Sequence, residues 1–247
     1  MQTTDIWRKL HLLCQKVTAL AVILCCLQGV CEAQTTRWIK KNNPNYDDRK
    51  LTYGFLIGLH TTAYKIKYSE RFASQAFDTL YAVEPAWSPG FSLGFIVNYK
   101  LTDLLDLRLT PKVAFYEHKL TYLFTDDTPT ETELVETTMV EFPLLLKFKS
   151  ERRGNIRMYM IGGIKPGIEA SGKKELENIT GSLEVKGASM NVDFGFGFDM
   201  YYPLFKFSPE IRFSKGIMNI LDNTTNRYGA PLERVTTNTI TVYLLFQ

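Results

Sequence analysis

Cysteine is confined to the start of the chain. All four cysteines (Cys14, Cys25, Cys26 and Cys31) lie within the first 31 residues, and residues 34–247 contain none. This excludes a disulfide framework and a thiolate metal site from that part of the chain. Histidine is nearly as scarce, because beyond residue 33 the sequence has His60 and His118 alone. The sequence also lacks the G-x-S-x-G, H-E-x-x-H and P-loop motifs, so we expect no metal, no cofactor and no enzymatic activity.

The chain also lacks a strong charge of one sign. It carries 29 lysines and arginines against 26 aspartates and glutamates, a formal net charge of +3. Such a balance gives no basis for a nucleic-acid partner. We expect no small-molecule substrate either.

Long hydrophobic runs are missing apart from one short stretch near the N-terminus, Thr18–Val30. Basic residues precede it, and small residues stand at Cys31 and Ala33, the −3 and −1 positions of a cleavage site before Gln34. This layout predicts a secretory signal peptide over residues 1–33, with an uncleaved membrane anchor as the alternative. Residues 34–50 are polar and are predicted to form an extended periplasmic segment before a barrel domain, residues 51–247.

The rest of the chain alternates between apolar and polar residues, the period of a β-strand with two different faces. In Leu105–Tyr116 the odd positions are mostly apolar and the even positions mostly polar, and Met190–Tyr202 shows the same alternation. Six further segments behave alike, with Leu56, Ile96, Leu145 and Ile161 as apolar exceptions on the polar face. Glycines on that face, such as Gly94, Gly163, Gly195 and Gly197, would make room for long charged neighbours.

The connections between these eight segments alternate between long and short. The long ones are about residues 61–88, 117–136, 169–187 and 215–234, and the short ones about 100–103, 150–155 and 203–204. Outer-membrane barrels have short periplasmic turns and long outer loops. We therefore predict an all-β fold, an eight-stranded antiparallel transmembrane β-barrel in the outer membrane, in contact with its lipid, with both termini in the periplasm. A soluble β-sandwich or a lipocalin-like barrel is the alternative, since alternation alone does not say which face meets water.

A barrel of this size has an interior just wide enough for its own side chains. Charges on its inner face should pair or meet trapped water, which predicts a lumen charge network. The alternatives are a narrow ion path or a catalytic pair, and no spacing singles one out. The predicted members, together with Asp106, are Arg108, Lys112, Glu141, Lys147, Arg157, Lys165, Asp193, Asp199, Glu210 and Arg212. Tyrosines near strand ends are predicted to form an aromatic girdle, namely Tyr53, Tyr99, Tyr116, Tyr201 and Tyr202.

Several phrases of the sequence resemble the PorT family of the type IX secretion system of Bacteroidota. They are NPNYDDRK (residues 43–50), PGFSLGFIVN (89–98), EFPLLLKFKSERR (141–153) and RMYMIGGIKP (157–166). They occur in this order over nearly the whole of the chain that follows the signal. The resemblance implies an outer-membrane β-barrel that is required for the export of proteins such as proteases and adhesins, with other type IX components as partners. It implies no catalytic residues.

Barrel size refines this expectation. An eight-stranded barrel with a filled interior cannot pass a folded protein. We therefore expect an accessory or assembly component beside a larger pore. The alternatives are a small porin or ligand-binding barrel and, third, a membrane-barrel enzyme.

Overall fold

A computed structural model describes residues 42–73, 80–125, 131–170, 186–222 and 230–247. The predicted signal peptide lies outside these ranges, as do residues 34–41 of the predicted periplasmic segment. The described ranges contain two 3-10 helices, Tyr46–Asp48 and Glu70–Ala73. No helix in the described ranges is long and apolar enough to cross a membrane. The strands are β1 Leu51–Tyr68, β2 Leu80–Ala86, β3 Ser88–Lys100, β4 Leu105–Leu109, β5 Lys112–Phe124, β6 Glu131–Glu141, β7 Leu144–Lys149, β8 Ile156–Glu169, β9 Ala188–Tyr201, β10 Lys206–Gly216 and β11 Leu232–Phe246.

The eleven strands combine into a closed ring of eight. Three of the eight are interrupted: β2 continues into β3 past Trp87, β4 into β5 past Thr110–Pro111, and β6 into β7 past Phe142–Pro143. All pairings are antiparallel, and β1 pairs with β3 on one side and with β11 on the other, which closes the sheet on itself. The predicted all-β class and the eight strands are therefore found, with three of them broken.

Two of the interruptions fall at prolines, which have no backbone N–H to donate to a neighbouring strand. Their carbonyls still accept cross-strand bonds, Pro111 from Phe95 N at 2.9 Å and Pro143 from Thr110 N at 3.1 Å. Side-chain alternation also continues across both sites, because Thr110 and Lys112 are buried, as are Glu141 and Leu145. The breaks therefore leave the ring's inner and outer faces in register.

The outer face of most of the ring is apolar and exposed, while the inner face is polar and buried. The exposed residues include Leu59, Leu93, Phe95, Leu146, Phe148, Met158, Phe194 and Phe196. The four apolar exceptions noted in the sequence all point inward, where Leu56 and Ile96 form one small cluster and Leu145 and Ile161 form another. The ring is thus inside-out relative to a soluble barrel.

This pattern reverses at the end of the ring that carries the long connections. There the interior holds an apolar cluster, and charged residues such as Lys65, Lys67 and Glu136 face outward. The cluster comprises Tyr64, Leu80, Val83, Leu120, Tyr122, Val135, Ile220, Leu221, Leu232 and Val235. An apolar inside with a polar outside is the arrangement of a sheet in water, so the strands continue past the apolar belt.

The long connections are shorter than the sequence predicted. Strands occupy much of their expected ranges, since β1 runs on to Tyr68, β2 begins at Leu80, β5 runs on to Phe124 and β11 begins at Leu232. The prediction missed these extensions because it followed an apolar outer face, and at this end of the strands, beyond about residue 60 on β1, apolar side chains turn inward. The turns at the other end are short, as predicted, at residues 101–104, 150–155 and 202–205.

Candidate functional site

The eleven residues of the predicted charge network, Asp106 included, all lie inside the ring, and each is less than 10 % exposed. They come from β4, β5, β6, β7, β8, β9 and β10, because alternate positions on every strand face the interior. Four more interior charges join them that the prediction did not include: Asp47, Lys149, Arg152 and Lys206.

Glu210 is at the centre of the network. Its Oε2 accepts hydrogen bonds from Arg108 NH1 at 2.8 Å and from the Tyr159 hydroxyl at 2.9 Å. Its Oε1 accepts one from Arg212 Nε at 3.0 Å. Arg108 also donates through Nε to Asn98 Oδ1 at 2.7 Å, and Arg212 NH1 lies 3.6 Å from Asp193 Oδ2. This chain of contacts joins β3, β4, β8, β9 and β10 across the middle of the ring.

A second cluster surrounds Glu141, nearer the interior apolar cluster at the end with the long connections. Lys112 Nζ lies 2.8 Å from Glu141 Oε2, and Lys165 Nζ lies 3.2 Å from Oε1. The hydroxyl of Tyr116 donates to the same Oε1 at 2.9 Å, and Lys112 Nζ donates to the hydroxyl of Tyr243 at 2.5 Å. One carboxylate thus serves two lysines and a phenol.

A third cluster lies toward the short turns, around Asp199. Lys147 Nζ lies 2.6 Å from Asp199 Oδ2, and Ser208 Oγ donates to Oδ1 at 2.7 Å. Lys206 Nζ is farther away, 3.9 Å from Oδ1. Beside this cluster Lys149 pairs with Asp106 at 2.6 Å.

Interior cations outnumber interior carboxylates. The described interior holds nine lysines and arginines against six aspartates and glutamates, an excess of three positive charges. The excess arises because Asp47, Glu141 and Asp199 are each shared between two cations. Arg108 and Arg212 are balanced by Glu210 and Asp193, and Lys149 by Asp106.

Residues 42–50 fold across the end of the ring that carries the short turns. The Asp47 side chain points inward. Its Oδ1 lies 3.2 Å from Arg157 NH1 and accepts a hydrogen bond from the Tyr201 hydroxyl at 3.0 Å. Asn42 and Asn43 donate side-chain hydrogen bonds to the carbonyls of Tyr201 and Tyr202. The sequence prediction of an extended segment is wrong for these residues, because they form a 3-10 turn that is pinned by side chains of β8, β9 and the turn between β7 and β8.

Arg152, from that turn, fixes the segment from the other side. It donates to the carbonyl oxygens of Asn42, Asn43 and Gly154, and its guanidinium lies 3.7 Å from the centre of the Tyr201 ring. Tyr46 packs edge-on against Tyr201 at 5.6 Å, and the Lys206 ammonium lies 4.7 Å from the Tyr46 ring centre. The Tyr46 hydroxyl is buried, and the loss of solvation raises the pKa of this phenol to about 12.

The predicted tyrosine girdle is only partly correct. Tyr53, Tyr99 and Tyr202 are exposed on the outer face, but Tyr116 and Tyr201 are buried inside the ring. Both belong to the face that also carries the interior charges, and their hydroxyls donate to Glu141 and Asp47. A phenol hydroxyl in the interior supplies a hydrogen bond that a carboxylate needs, whereas on the outer face it would mark an interface.

Two of the interior glycines make room for large neighbours. At Gly94 the neighbour is a charged side chain, as predicted, and at Gly197 it is an aromatic ring. A Cβ on Gly94 would lie 2.5 Å from Lys112 Cβ, so that glycine accommodates a charged neighbour. A Cβ on Gly197 would lie 2.6 Å from the Tyr159 ring, so there the large neighbour is a tyrosine.

A pocket lies between the Glu141 cluster and the interior apolar cluster, with about 470 Å³ of empty space that includes open solvent at its mouth. His118 stacks on Tyr64 with ring centres 4.1 Å apart, and its Nε2 lies 3.3 Å from Thr62 Oγ1. The lining mixes hydroxyl groups with Met139, Ile220, Lys165 and Lys186. Within the described ranges, no group of three or more histidines, cysteines and acidic residues is placed to hold a metal ion.

Comparison with solved structures finds small outer-membrane proteins. OprG of Pseudomonas aeruginosa is 14% identical, with 80% of this chain and 95% of that chain covered and a TM-score of 0.46. Neisserial surface protein A is 12% identical, with 80% and 98% covered and a TM-score of 0.37. Ail, the attachment invasion locus protein of Yersinia pestis, is 12% identical, with 78% and 96% covered and a TM-score of 0.32. Similarity at this level decides nothing about function.

Comparison by sequence gives a clearer result. No curated protein matches the chain. The model of one family, described as outer membrane protein beta-barrel domain, matches residues 32–222, more than three quarters of the chain. That family accounts for the closed ring, the apolar outer belt and the polar interior. The chain belongs to the outer membrane protein β-barrel domain family, and its ring is an outer-membrane β-barrel.

Proposed function

We propose that this barrel serves type IX protein secretion as an accessory or assembly component, and not as the conduit. The four PorT-like phrases support the link to that system, because they occur one after another along the chain. The contact between Arg108 and Glu210 supports the other part of the proposal, that the barrel is not the conduit. It joins β4 to β10 through side chains that are fully buried, so the centre of the lumen is filled by protein.

A filled lumen limits what the barrel can transport. Breaking the central contacts would leave charges buried without partners, which costs several kcal/mol per ion. Passage of a polypeptide would require breaking all three clusters as well as removing residues 42–50. We therefore assign the function to surfaces: the apolar belt, the turns with residues 42–50, and the long connections at the opposite end.

Deletion of the gene tests the link to secretion. We expect proteins with the C-terminal type IX signal to accumulate in the periplasm of the deletion strain, and a plasmid copy to restore their export. A Glu233→Gln copy, altered at an exposed ion pair with Lys67, is the matched control and should restore export fully. Normal cargo export in the deletion strain would contradict the proposal.

We further propose that the short turns and both termini face the periplasm. This orientation rests on turn length, since periplasmic turns of such barrels are short. Residues 34–247 contain no cysteine, so single cysteines can be placed at Asp103 in a short turn and at Asp222 at the opposite end. A membrane-impermeant maleimide applied to intact cells should label Asp222→Cys and spare Asp103→Cys. The reverse pattern would overturn the orientation.

A ligand-binding barrel is the second candidate, and the pocket beside His118 favours it. Its lining combines hydroxyls, two lysines and apolar groups, which suits a small amphipathic molecule. Native mass spectrometry of the protein extracted from its own membranes would reveal a retained small molecule. Loss of that molecule from Met139→Trp, which narrows the pocket, would support this candidate, and an empty protein would count against it.

A further inference from the structure

A second cavity lies at the other end of the barrel, between residues 42–50 and the Asp199 cluster. Its empty space is about 320 Å³, which includes open solvent at its mouth. Its lining contains six lysines and arginines against three aspartates. Three of those cations are buried at the cavity, namely Lys149, Arg157 and Lys206.

The aspartates of this cavity are already engaged by other groups. Asp199 binds Lys147 at 2.6 Å and Ser208 at 2.7 Å, while Lys206 comes no closer to it than 3.9 Å. That distance is too long for a hydrogen bond. The Lys206 ammonium also lies 4.7 Å from the centre of the Tyr46 ring. Lys206 is therefore a buried cation with weak compensation.

Arg157 is in a similar position. Its NH1 lies 3.2 Å from Asp47 Oδ1, but Asp47 also faces Arg152, at 3.6 Å. The Nε of Arg157 is buried and has no hydrogen-bond partner among the described residues. The Arg157 side chain is 93% buried, so this donor is directed into the protein and away from bulk water.

Buried cations of this kind require an anion or water. A guanidinium has five N–H donors in a planar fork and an ammonium has three, and both are costly to bury without acceptors. The Glu141 cluster has the same ratio of two cations to one carboxylate, but there both lysines lie within 3.2 Å of the carboxylate and phenol hydroxyls add further contacts. Arg108 and Arg212 in the central cluster each keep one buried N–H group without a partner among the described residues, but neither lines this cavity, whereas Arg157 and Lys206 do.

We infer that this cavity binds a small oxyanion of the phosphate or sulfate class between Arg157 and Lys206. Such an ion presents several acceptor oxygens to one guanidinium and one ammonium, the combination that proteins use for phosphate. Lys149 also lines the cavity, but Asp106 at 2.6 Å balances its charge, which leaves Arg157 and Lys206 as the anion-binding pair. The bound ion would offset part of the interior excess of three positive charges.

Equilibrium binding of radiolabelled inorganic phosphate to the purified full-length protein in detergent tests the site. Chloride holds the ionic strength constant, and glycerol phosphate in a parallel arm distinguishes a free ion from a phosphomonoester headgroup. We expect saturable phosphate binding by the wild type that is weakened about 10- to 100-fold by Arg157→Gln or Lys206→Gln, the range for a lost hydrogen bond to a charged group. Lys165→Gln, at the Glu141 cluster, is the matched control and should bind like the wild type.

If a variant fails to fold, phosphate binding by the wild type still tests the inference. Absence of saturable binding to the folded wild type would overturn it. Equal binding by the wild type, Arg157→Gln and Lys206→Gln would also overturn it, since the ion would then lie elsewhere. Stronger binding of glycerol phosphate than of inorganic phosphate would overturn the free ion as the ligand. None of these outcomes bears on the proposed role in secretion.

Discussion

Glu210 on β10 and Arg108 on β4 meet in the middle of the barrel, 2.8 Å apart, with no exposed side-chain surface on either residue. The same carboxylate also binds Arg212 and Tyr159. Strands on opposite sides of the lumen are thereby connected through one acidic residue.

Replacing that acid should destabilise the barrel strongly. Glu210→Gln leaves Arg108 and Arg212 facing each other in the interior, and breaking a buried pair of this kind costs about 3–5 kcal/mol. The free energy of unfolding, from urea titration of the protein in lipid vesicles, measures the effect. Glu233→Gln, which breaks an exposed ion pair with Lys67, should cost at most about 1 kcal/mol. Equal losses in the two variants would contradict the assignment of Glu210 as the centre of the network.

Asp47 should determine whether residues 42–50 stay docked. Asp47→Asn weakens the contacts with Arg157 and Arg152, so the segment should become accessible to trypsin, which cleaves after Arg49 and Lys50. We expect faster cleavage at these sites with the barrel itself intact on a gel. Asp48→Asn, one residue along the chain and exposed, is the control and should be cleaved like the wild type. Unchanged cleavage of Asp47→Asn would show that the segment is held by other contacts.

Docking of the segment should also fail in strong alkali. The pKa of Tyr46 is raised from 10.0 to about 12, chiefly by burial, so docking favours the protonated phenol. This contribution is complete below pH 10 and is lost as the pH rises through about 12. The difference in thermal stability between the wild type and Tyr46→Phe, measured from pH 9 to 12, should therefore shift against the wild type as pH rises. A difference that stays constant with pH would contradict the buried state of Tyr46.

The apolar belt should tolerate no charge near its middle. Phe196 is exposed on the outer face of β9, so Phe196→Lys would place an ammonium in hydrocarbon at a cost of about 2–4 kcal/mol. Leu204, in a short turn and 94% exposed, is the control, and Leu204→Lys should cost about 0–1 kcal/mol. Folding free energies in vesicles give both values. A small cost at Phe196 would mean that this face does not meet lipid.

The ring of eight strands could be predicted from the sequence because the alternation of apolar and polar residues is a local property. Even where Pro111 and Pro143 interrupt a strand, the residues on either side keep their faces, so the eight strands and their inner charges could be predicted. The same rule failed at the end of the barrel where the apolar side chains face inward instead of outward. At Leu120 and Tyr122 the apolar side chains face inward above the belt, and a prediction that required apolar residues outside took these positions for loop.

The ends of the barrel depended on contacts between distant residues. Nothing in the residues around Asp47 indicates that it would reach Arg157, 110 positions away, since a polar segment with Asn and Pro is typical of an extended chain as well. The placement of Tyr201 also depends on a contact with a residue distant in the sequence. Its position near a strand end favoured the membrane interface, but its alternation with Tyr202 put one of the two inside, and the buried one meets Asp47.

Single-channel recording in a planar bilayer tests the central claim most directly. The wild-type protein should give no steady open conductance, because the Glu210, Glu141 and Asp199 clusters fill the lumen and residues 42–50 cover one end. Glu210→Gln, measured in parallel, shows whether loosening the central cluster admits ions. A stable, wide conductance of the wild type, of the size that a polypeptide requires, would contradict the account and make the barrel itself a conduit.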